Sequence, residues 1–417
     1  MTERLFDGNL QLERPPRESQ ACSFDAVAAR SSGPTVAGLF AGIGGIEAGL
    51  AESGLHSELL CELWDPARLV LEQRFDGVPT VADVRELRSL PNVEVVTAGF
   101  PCQDLSQAGR TAGIGGTQSG LIAEVFRLIR RRHPRWLLLE NVQFMLQLEG
   151  GRAMRYLVDE LEAMKYRWAY RVVDSRFTGV PQRRRRVVLV ASRKDDPRAV
   201  LFADDAGQPP VDRYWSDTCG FYWTEGVRGL GWAVDAVPTL KGGSTIGIPS
   251  PPAIWVKDAR RSRRLVVPGI EEAEALQGFD RGWTSGIGGA RALGTRWKLV
   301  GNAVTVGVSR WVGERLAAPG SFDADNVPLV DGSPWPSAAH GSRGRAFRVV
   351  VSEYPRLEQY QHLSDVVDLD GASALSQRAI EGFYRRTQRS TLRFDPAFIE
   401  DLVEQVAVGT DPLFAVA

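Results

Sequence analysis

Cysteine, histidine and methionine are each limited to four residues in this 417-residue chain. Cys22, Cys61, Cys102 and Cys219 stand far apart without a CxxC pair, which argues against a disulfide framework and against a structural zinc site. No metal site is expected. Long apolar runs are missing too, so no membrane span and no membrane partner are expected. The start, MTERLFDGNLQLERPPRESQ, lacks the basic stretch and apolar block of a secretion signal, and a cytoplasmic protein is the reading. An excess of either charge is also absent, with 50 Lys+Arg against 51 Asp+Glu and a net charge of -1.

That balance hides an asymmetry. Residues 320–417 hold 9 Arg and 14 acidic residues, net -5, which leaves +4 on residues 1–319. Basic residues cluster in RLIRRRHPR (127–135), QRRRR (182–186) and KDARRSRR (257–264). One such run is usually a solvated face; three together point to a polyanionic partner. Apolar material is plentiful, at 43%, enough for sizeable cores in two or three domains.

Between residues 35 and 191, short apolar runs alternate with amphipathic segments. TVAGLF, SELLCEL, VEVVTAGF, RWLLLENV and RRVVLVAS read as buried strands, and GIEAGLAES, PARLVLEQRF, GLIAEVFRLIRRR and GRAMRYLVDELEAM as helices. That rhythm predicts an α/β fold with a doubly wound, mostly parallel sheet. The rhythm breaks over 193–289, where Pro, Gly and Trp accumulate and short strands such as AIWV suggest a smaller, irregular, β-leaning module. Helical pattern returns at GIEEAEALQGF and VTVGVSRWVGERLAA, and a last segment predicts a strand, RAFRVVV, and two helices. Residues 1–33 read as a loosely packed arm.

The turn LFAGIGGIEAGL (39–50) follows a strand and opens a helix, which lets backbone N–H groups approach a ligand closely. Glu62 comes 20 residues after Gly42, where a carboxylate would accept ribose hydroxyls, and Asp83 ends a third strand on the same edge. No Gly-Lys-Ser/Thr element for a triphosphate follows, so an adenosine-containing cofactor fits best. In GFPCQDLSQAG (99–109) a thiol, Cys102, sits on a strand-to-helix turn, where a helix N-terminus and nearby arginines favour the thiolate. Glu140-Asn141 close the strand RWLLLENV at the edge where ligands of open α/β sheets bind. Thiolate, carboxyl group and cofactor would then converge on one crevice.

LFAGIGG, ADV, GFPCQDLSQAG, ENV, VPQRRRR, LQGF and GNAV occur in that order over roughly residues 34–316. In this the chain resembles the DNA (cytosine-5) methyltransferase family. The resemblance implies S-adenosyl-L-methionine as cofactor and a covalent mechanism on a cytosine flipped out of double-stranded DNA. Cys102 would add to carbon 6, Glu140 would engage ring nitrogen 3, and Arg184 would reach the flipped base and a phosphate. It assigns Phe40, Gly42, Gly44, Glu62, Asp83, Pro101 and Asn302 to the cofactor pocket, with either Leu63 or Trp64 covering the adenine. Gln182 and Arg186, with Thr239, Leu240 and Lys241 of VPTLKGGST, are implied DNA contacts, and the arginine clusters would hold phosphates. Two departures stand out: Gly38 replaces an acidic residue often found before LF, and PGIEEAEALQGF lacks the arginines common there.

The resulting division is an N-terminal arm (1–33), a catalytic domain (34–192, completed by 290–318), a target-recognition domain (193–289) and an extension of unassigned role (320–417). The expected setting is restriction–modification or phage defence, with cognate restriction or defence proteins as candidate partners and a monomer acting on DNA. Two rivals are a tRNA cytosine-5 methyltransferase, disfavoured because CGFYW (219–223) stands in place of that branch's Cys-Phe-Thr signature, and a DNA-binding subunit without chemistry.

Overall fold

The computed structural model describes residues 33–101, 120–224, 226–227, 229–243, 250–258, 260, 263–323, 327–330 and 332–410. Cys102 and the rest of its turn lie outside them. The parallel half of the main sheet forms from β1 (Thr35–Leu39), β2 (His56–Cys61), β3 (Thr80–Val81), β4 (Val95–Ala98) and β5 (Trp136–Val142), ordered β3-β2-β1-β4-β5. β1, β4 and β5 are short and mostly apolar, as expected of strands covered on both faces, while β2 begins polar, with His56 and Glu58 exposed. Helices α1 (Gly45–Glu52), α2 (Asp65–Arg74), α3 (Leu121–Arg131) and α4 (Arg152–Ala163) connect or flank them. Ile122, Val125, Phe126 and Ile129 bury one stripe of α3, each contributing roughly 1.5–3 kcal/mol. Pro66 sits in the first turn of α2, where its missing N–H costs nothing.

Beyond β5 the sheet turns antiparallel. β6 (Arg167–Asp174) and β8 (Arg185–Ser192) extend it, with β8 hydrogen-bonded between β5 and β6. The short β7 (Gln182–Arg183) instead pairs in parallel with β11 (Val237–Pro238), tying the QRRRR run to the smaller module. That module is a second sheet built on β9 (Thr218–Phe221), β10 (Ala233–Val234), β12 (Ala253–Val256) and β13 (Leu265–Val267). Three helices follow: α5 (Ile270–Leu276), α6 (Ala292–Asn302) and α7 (Val306–Ala317), the last packed on α1, where Gly49 allows the backbone at Val306 to approach closely.

Residues 320–417 enter both sheets. β14 (Val327–Pro328), β15 (Ala338–Ser342) and β16 (Arg345–Arg348) continue the large sheet, β15 pairing with β6. β17 (Ser373–Ala374) adds an edge to the small sheet beside β13. Helices α8 (Gln377–Thr387) and α9 (Pro396–Thr410) then cover that sheet, and Phe383, Phe398 and Leu402 share a core with Cys219, Phe221 and Trp255. Buried Asp235 fastens the join. Its carboxylate accepts from the N–H groups of Trp215 and Leu363 and lies 2.6 Å from His362 Nδ1.

Candidate functional site

A cavity of about 670 Å³ opens at the ends of β1, β2, β4 and β5, a size typical of sites for cofactor-sized ligands. Its wall includes Phe40, Gly42, Glu62, Leu63, Trp64, Asp83, Pro101, Glu140, Arg184, Arg186 and Asn302. The turn after β1 is left-handed at Phe40 (φ 54°) and Gly42 (φ 58°). A side chain is tolerated there only under strain at Phe40, whereas glycine meets the requirement freely at 42. The Glu62 carboxylate accepts from the Gly42 N–H at 2.9 Å and the Trp64 N–H at 2.8 Å. Both of its oxygens are therefore positioned by backbone. Arg85 donates to Asp83 and holds its carboxyl below the usual range. Trp64 lies under the Lys298 ammonium, 4.7 Å from the ring centroid, while Leu63 is 58% exposed. Both line the cavity.

At the opposite wall, Arg186 Nε stands 3.0 Å from Glu140 Oε1. Burial lowers the Arg186 pKa and Glu140 opposes that shift. Asn141 donates to the Phe100 carbonyl at 2.9 Å, so the strand carrying Glu140 also holds the Gly99–Pro101 turn in place. Cys61 is also in the wall, but burial and then neighbouring Glu62 push its thiol up to about 12. It stays protonated and is a poor nucleophile.

Residues 35–211 match the family of C-5 cytosine-specific DNA methylases. A Type II methyltransferase, M2.BsuMI of Bacillus subtilis (strain 168), is 43% identical over 380 residues, 88% of this chain and 97% of that protein. The chain belongs to the C-5 cytosine-specific DNA methylases. A second relative, the Type II methyltransferase M.BsuFI of Bacillus subtilis, is 33% identical over 38% of this chain and 39% of its own. The crystal structure of the S. pombe Dnmt2 methyltransferase superposes with TM-score 0.50 at 16% identity, over 68% of this chain and 98% of that one, and supports the fold.

The methyl donor of this methylase is S-adenosylmethionine, and the cavity suits it. Glu62 and Asp83 put carboxylates in its wall that would suit ribose hydroxyls and an adenine amino group, Leu63 and Trp64 supply apolar area, and nothing lies within 4 Å of where a Cβ at Gly42 would point.

Several expected residues make contacts other than those expected. Gly44 does not line the cavity: it caps α1 at φ 82°, and a Cβ there would lie 2.3 Å from Phe75. Its requirement is close packing. Arg184, expected at the base, is fully buried, and its guanidinium donates to the carbonyls of Leu240 at 3.1 Å, Gly301 at 3.4 Å and Ala303 at 2.6 Å. Burial, then repulsion from Arg186, lowers its pKa. The arginine paired with Glu140 is Arg186, and Arg184 clamps the 239–241 loop to the segment carrying Asn302. Gln182 and Leu240, expected at DNA, are buried too. The Gln182 amide donates to the Leu276 carbonyl and Gln277, and its oxygen accepts from the Leu240 N–H at 2.9 Å. Thr239 and Lys241 stay at the surface of that loop. Thr239 donates to the Arg183 carbonyl, and Lys241 Nζ lies 4.5 Å over the Tyr222 ring.

The three basic runs are largely engaged within the protein rather than free for phosphates. Arg127 pairs with Glu124, Arg130 with Glu160 and Arg135 with Asp195. Arg185 pairs with Glu353, Lys257 with Asp395, and Arg264 with Asp401 and Glu404. Gly38 has its own explanation. The Glu47 carboxyl occupies the space a Cβ would need, 2.4 Å away, and accepts from Thr97 Oγ1 at 2.7 Å. The acid missing before LF is replaced by one from α1. In PGIEEAEALQGF, Glu274 accepts from the N–H groups of Gly282, Trp283 and Thr284 and pairs with Arg296, an internal network fixing that corner.

Proposed function

We propose that this methylase modifies carbon 5 of a cytosine rotated out of duplex DNA, with Cys102 as nucleophile and Glu140 and Arg186 as the pair that receives the base. The observation carrying the reading is that Glu140–Arg186, Pro101 and the Glu62–Asp83 edge bound one cavity. Cytosine is unreactive at carbon 5 until electrons are pushed into the ring. The Cys102 thiolate bonds to carbon 6, and the displaced electron density moves toward carbon 5 and nitrogen 3. The Glu140 carboxyl at nitrogen 3 stabilises that charge, while Arg186 fixes its orientation. S-adenosylmethionine, when bound, supplies the methyl group. Loss of the carbon 5 proton to a base then expels the thiolate and restores the aromatic ring, so Cys102 is regenerated. The similarity to Type II methyltransferases supports a sequence-specific duplex target in a restriction–modification or defence setting, in preference to tRNA.

A duplex carrying 5-fluorocytosine at the target cannot lose its carbon 5 substituent as a proton. Bisulfite reading of DNA from expressing cells identifies that target. Incubation with S-adenosylmethionine should then yield a covalent complex that maps to residue 102, and Cys102→Ser should lower turnover at least ~10³-fold while still binding the cofactor. Methylation without any trapped adduct would refute the covalent route, and loss of cofactor binding in Cys102→Ser would make the thiol structural.

A further inference from the structure

We infer that α8 and the turn following it form a contact surface for the phosphate backbone of duplex DNA flanking the target. The inference rests on the methylase reading above but uses a surface outside the cavity. Ser376–Arg393 contains five arginines and one acid, Glu381, inside a C-terminal segment that is otherwise acidic. Arg378, Arg385 and Arg389 are spaced by seven and four residues, so at 3.6 residues per turn they lie within about 20° of one line. Gln388 keeps helical backbone angles (φ -61°, ψ -20°) and the Arg389 N–H donates to the Arg386 carbonyl, so the line continues past the last helical residue. The stripe spans roughly 16 Å at 1.5 Å per residue, long enough for several phosphates of a strand. Ala379, Ile380, Phe383 and Thr387 occupy the opposite face and are buried against the small sheet.

Two features separate this stripe from the other basic runs. Arg378, Arg385, Arg389 and Arg393 are exposed and have no ion pair or side-chain hydrogen bond among the described residues. Three acids of the same segment are meanwhile committed inward: Asp395 to Lys257, and Asp401 and Glu404 to Arg264. The segment thus neutralises a cluster of the recognition module and offers its own cations instead. The helix that carries the stripe is also linked to the recognition loop through another of its arginines. Arg386 donates to the Trp223 carbonyl, the neighbouring Tyr222 hydroxyl donates to the Thr239 carbonyl, and Lys241 lies over the Tyr222 ring. Free guanidinium groups in a row beside such a loop suit a polyanion with regular spacing, and duplex DNA is the one this enzyme must hold.

The test compares the full chain with Arg378→Gln/Arg385→Gln/Arg389→Gln and with the same three positions changed to Lys. Duplex dissociation constants are measured over a range of salt concentrations, alongside KM for DNA, kcat and thermal unfolding. Every phosphate that a variant no longer neutralises reduces the salt slope by about 0.9, so the Gln variant should show a slope smaller by up to about 2.7 and an affinity weaker by on the order of tenfold. KM for DNA should rise while kcat, cofactor affinity and unfolding temperature hold. The Lys variant should keep most of the slope, which a purely structural role would not produce. An unchanged slope and affinity in the Gln variant overturn the inference and leave the face to a protein partner. Failure of the methylase reading is scored separately, by methyl transfer in the unaltered chain, because binding and slope are measured without turnover.

Discussion

Arginines in this protein fall into two populations that composition does not separate. Those in residues 127–135, 182–186 and 257–264 lie in the half of the chain with positive net charge, yet most are spent on carboxylates and carbonyls of the protein itself. Arg378 and Arg385 of α8, with Arg389 and Arg393 just after it, lie in a segment of net negative charge and are exposed without partners among the described residues. The contrast teaches that a run of like charge marks demand for counter-charge, and the fold decides whether the protein or a ligand meets it. Local acids meet it for Arg127 through Glu124, one helical turn away. Distant acids meet it for Arg264 through α9.

The contrast is sharpest within QRRRR. Arg184 is buried among three carbonyls, and Arg185, one residue on, pairs with Glu353 while 43% exposed. Arg184→Met should cost about 3–5 kcal/mol in denaturant unfolding, because it strips buried acceptors of their donor. Arg185→Met should cost under about 1 kcal/mol, the usual worth of a half-exposed pair. Equal costs would erase the distinction between the two neighbours.

Much of the cavity was legible from sequence because its parts sit at strand ends with regular local signals. The glycine turn, Glu62, Asp83 and Glu140 all follow apolar runs that form β1, β2, β3 and β5. Depth was not legible. Strand alternation places Arg184 and Arg186 on one side but cannot say which reaches the carboxylate and which the carbonyls. β6 also escaped the pattern because Arg171 interrupts RWAYRVVD. That arginine is buried, donating to the Leu201 and Asp204 carbonyls and pairing with Asp205, and burial lowers its pKa to about 10. The role of the C-terminal segment was hidden for another reason. β14 and β17 are two residues each, and β17 pairs with β13, far away in the chain. Such non-local pairing leaves no periodic trace.

Glu47 offers the opposite case, a buried acid whose partner is a hydroxyl rather than a cation. Burial raises its pKa from 4.5 to about 7, against the Thr97 hydrogen bond that lowers it. The unfolded chain releases this proton near 4.5 and the folded chain only near 7, so between those values the folded state binds the extra proton. Stability therefore falls as pH rises through that window and stays reduced above it. Glu47→Gln keeps an oxygen for Thr97 and removes the ionisation. It should unfold later than the parent by on the order of 3 kcal/mol at about pH 8, with the gain vanishing below about pH 4.5. A gain independent of pH would mean that packing, not ionisation, sets the difference.

Arg264 gives the cleanest separation of the two populations. Its guanidinium bridges Asp401 and Glu404, the first pair mostly shielded from water with both side chains 15% exposed, and Asp401 also accepts from the Trp255 indole. Its place is therefore the joint between the small sheet and α9. Arg264→Gln should lower stability by about 1–2 kcal/mol through the absence of charge-assisted hydrogen bonds. Because the wild-type charge already faces carboxylates, the salt slope of duplex binding should stay at the parent value, although Arg264 belongs to the most conspicuous basic run of the module. A slope reduced as in the α8 variants, at undiminished stability, would place Arg264 on DNA and collapse the division between paired and free arginines.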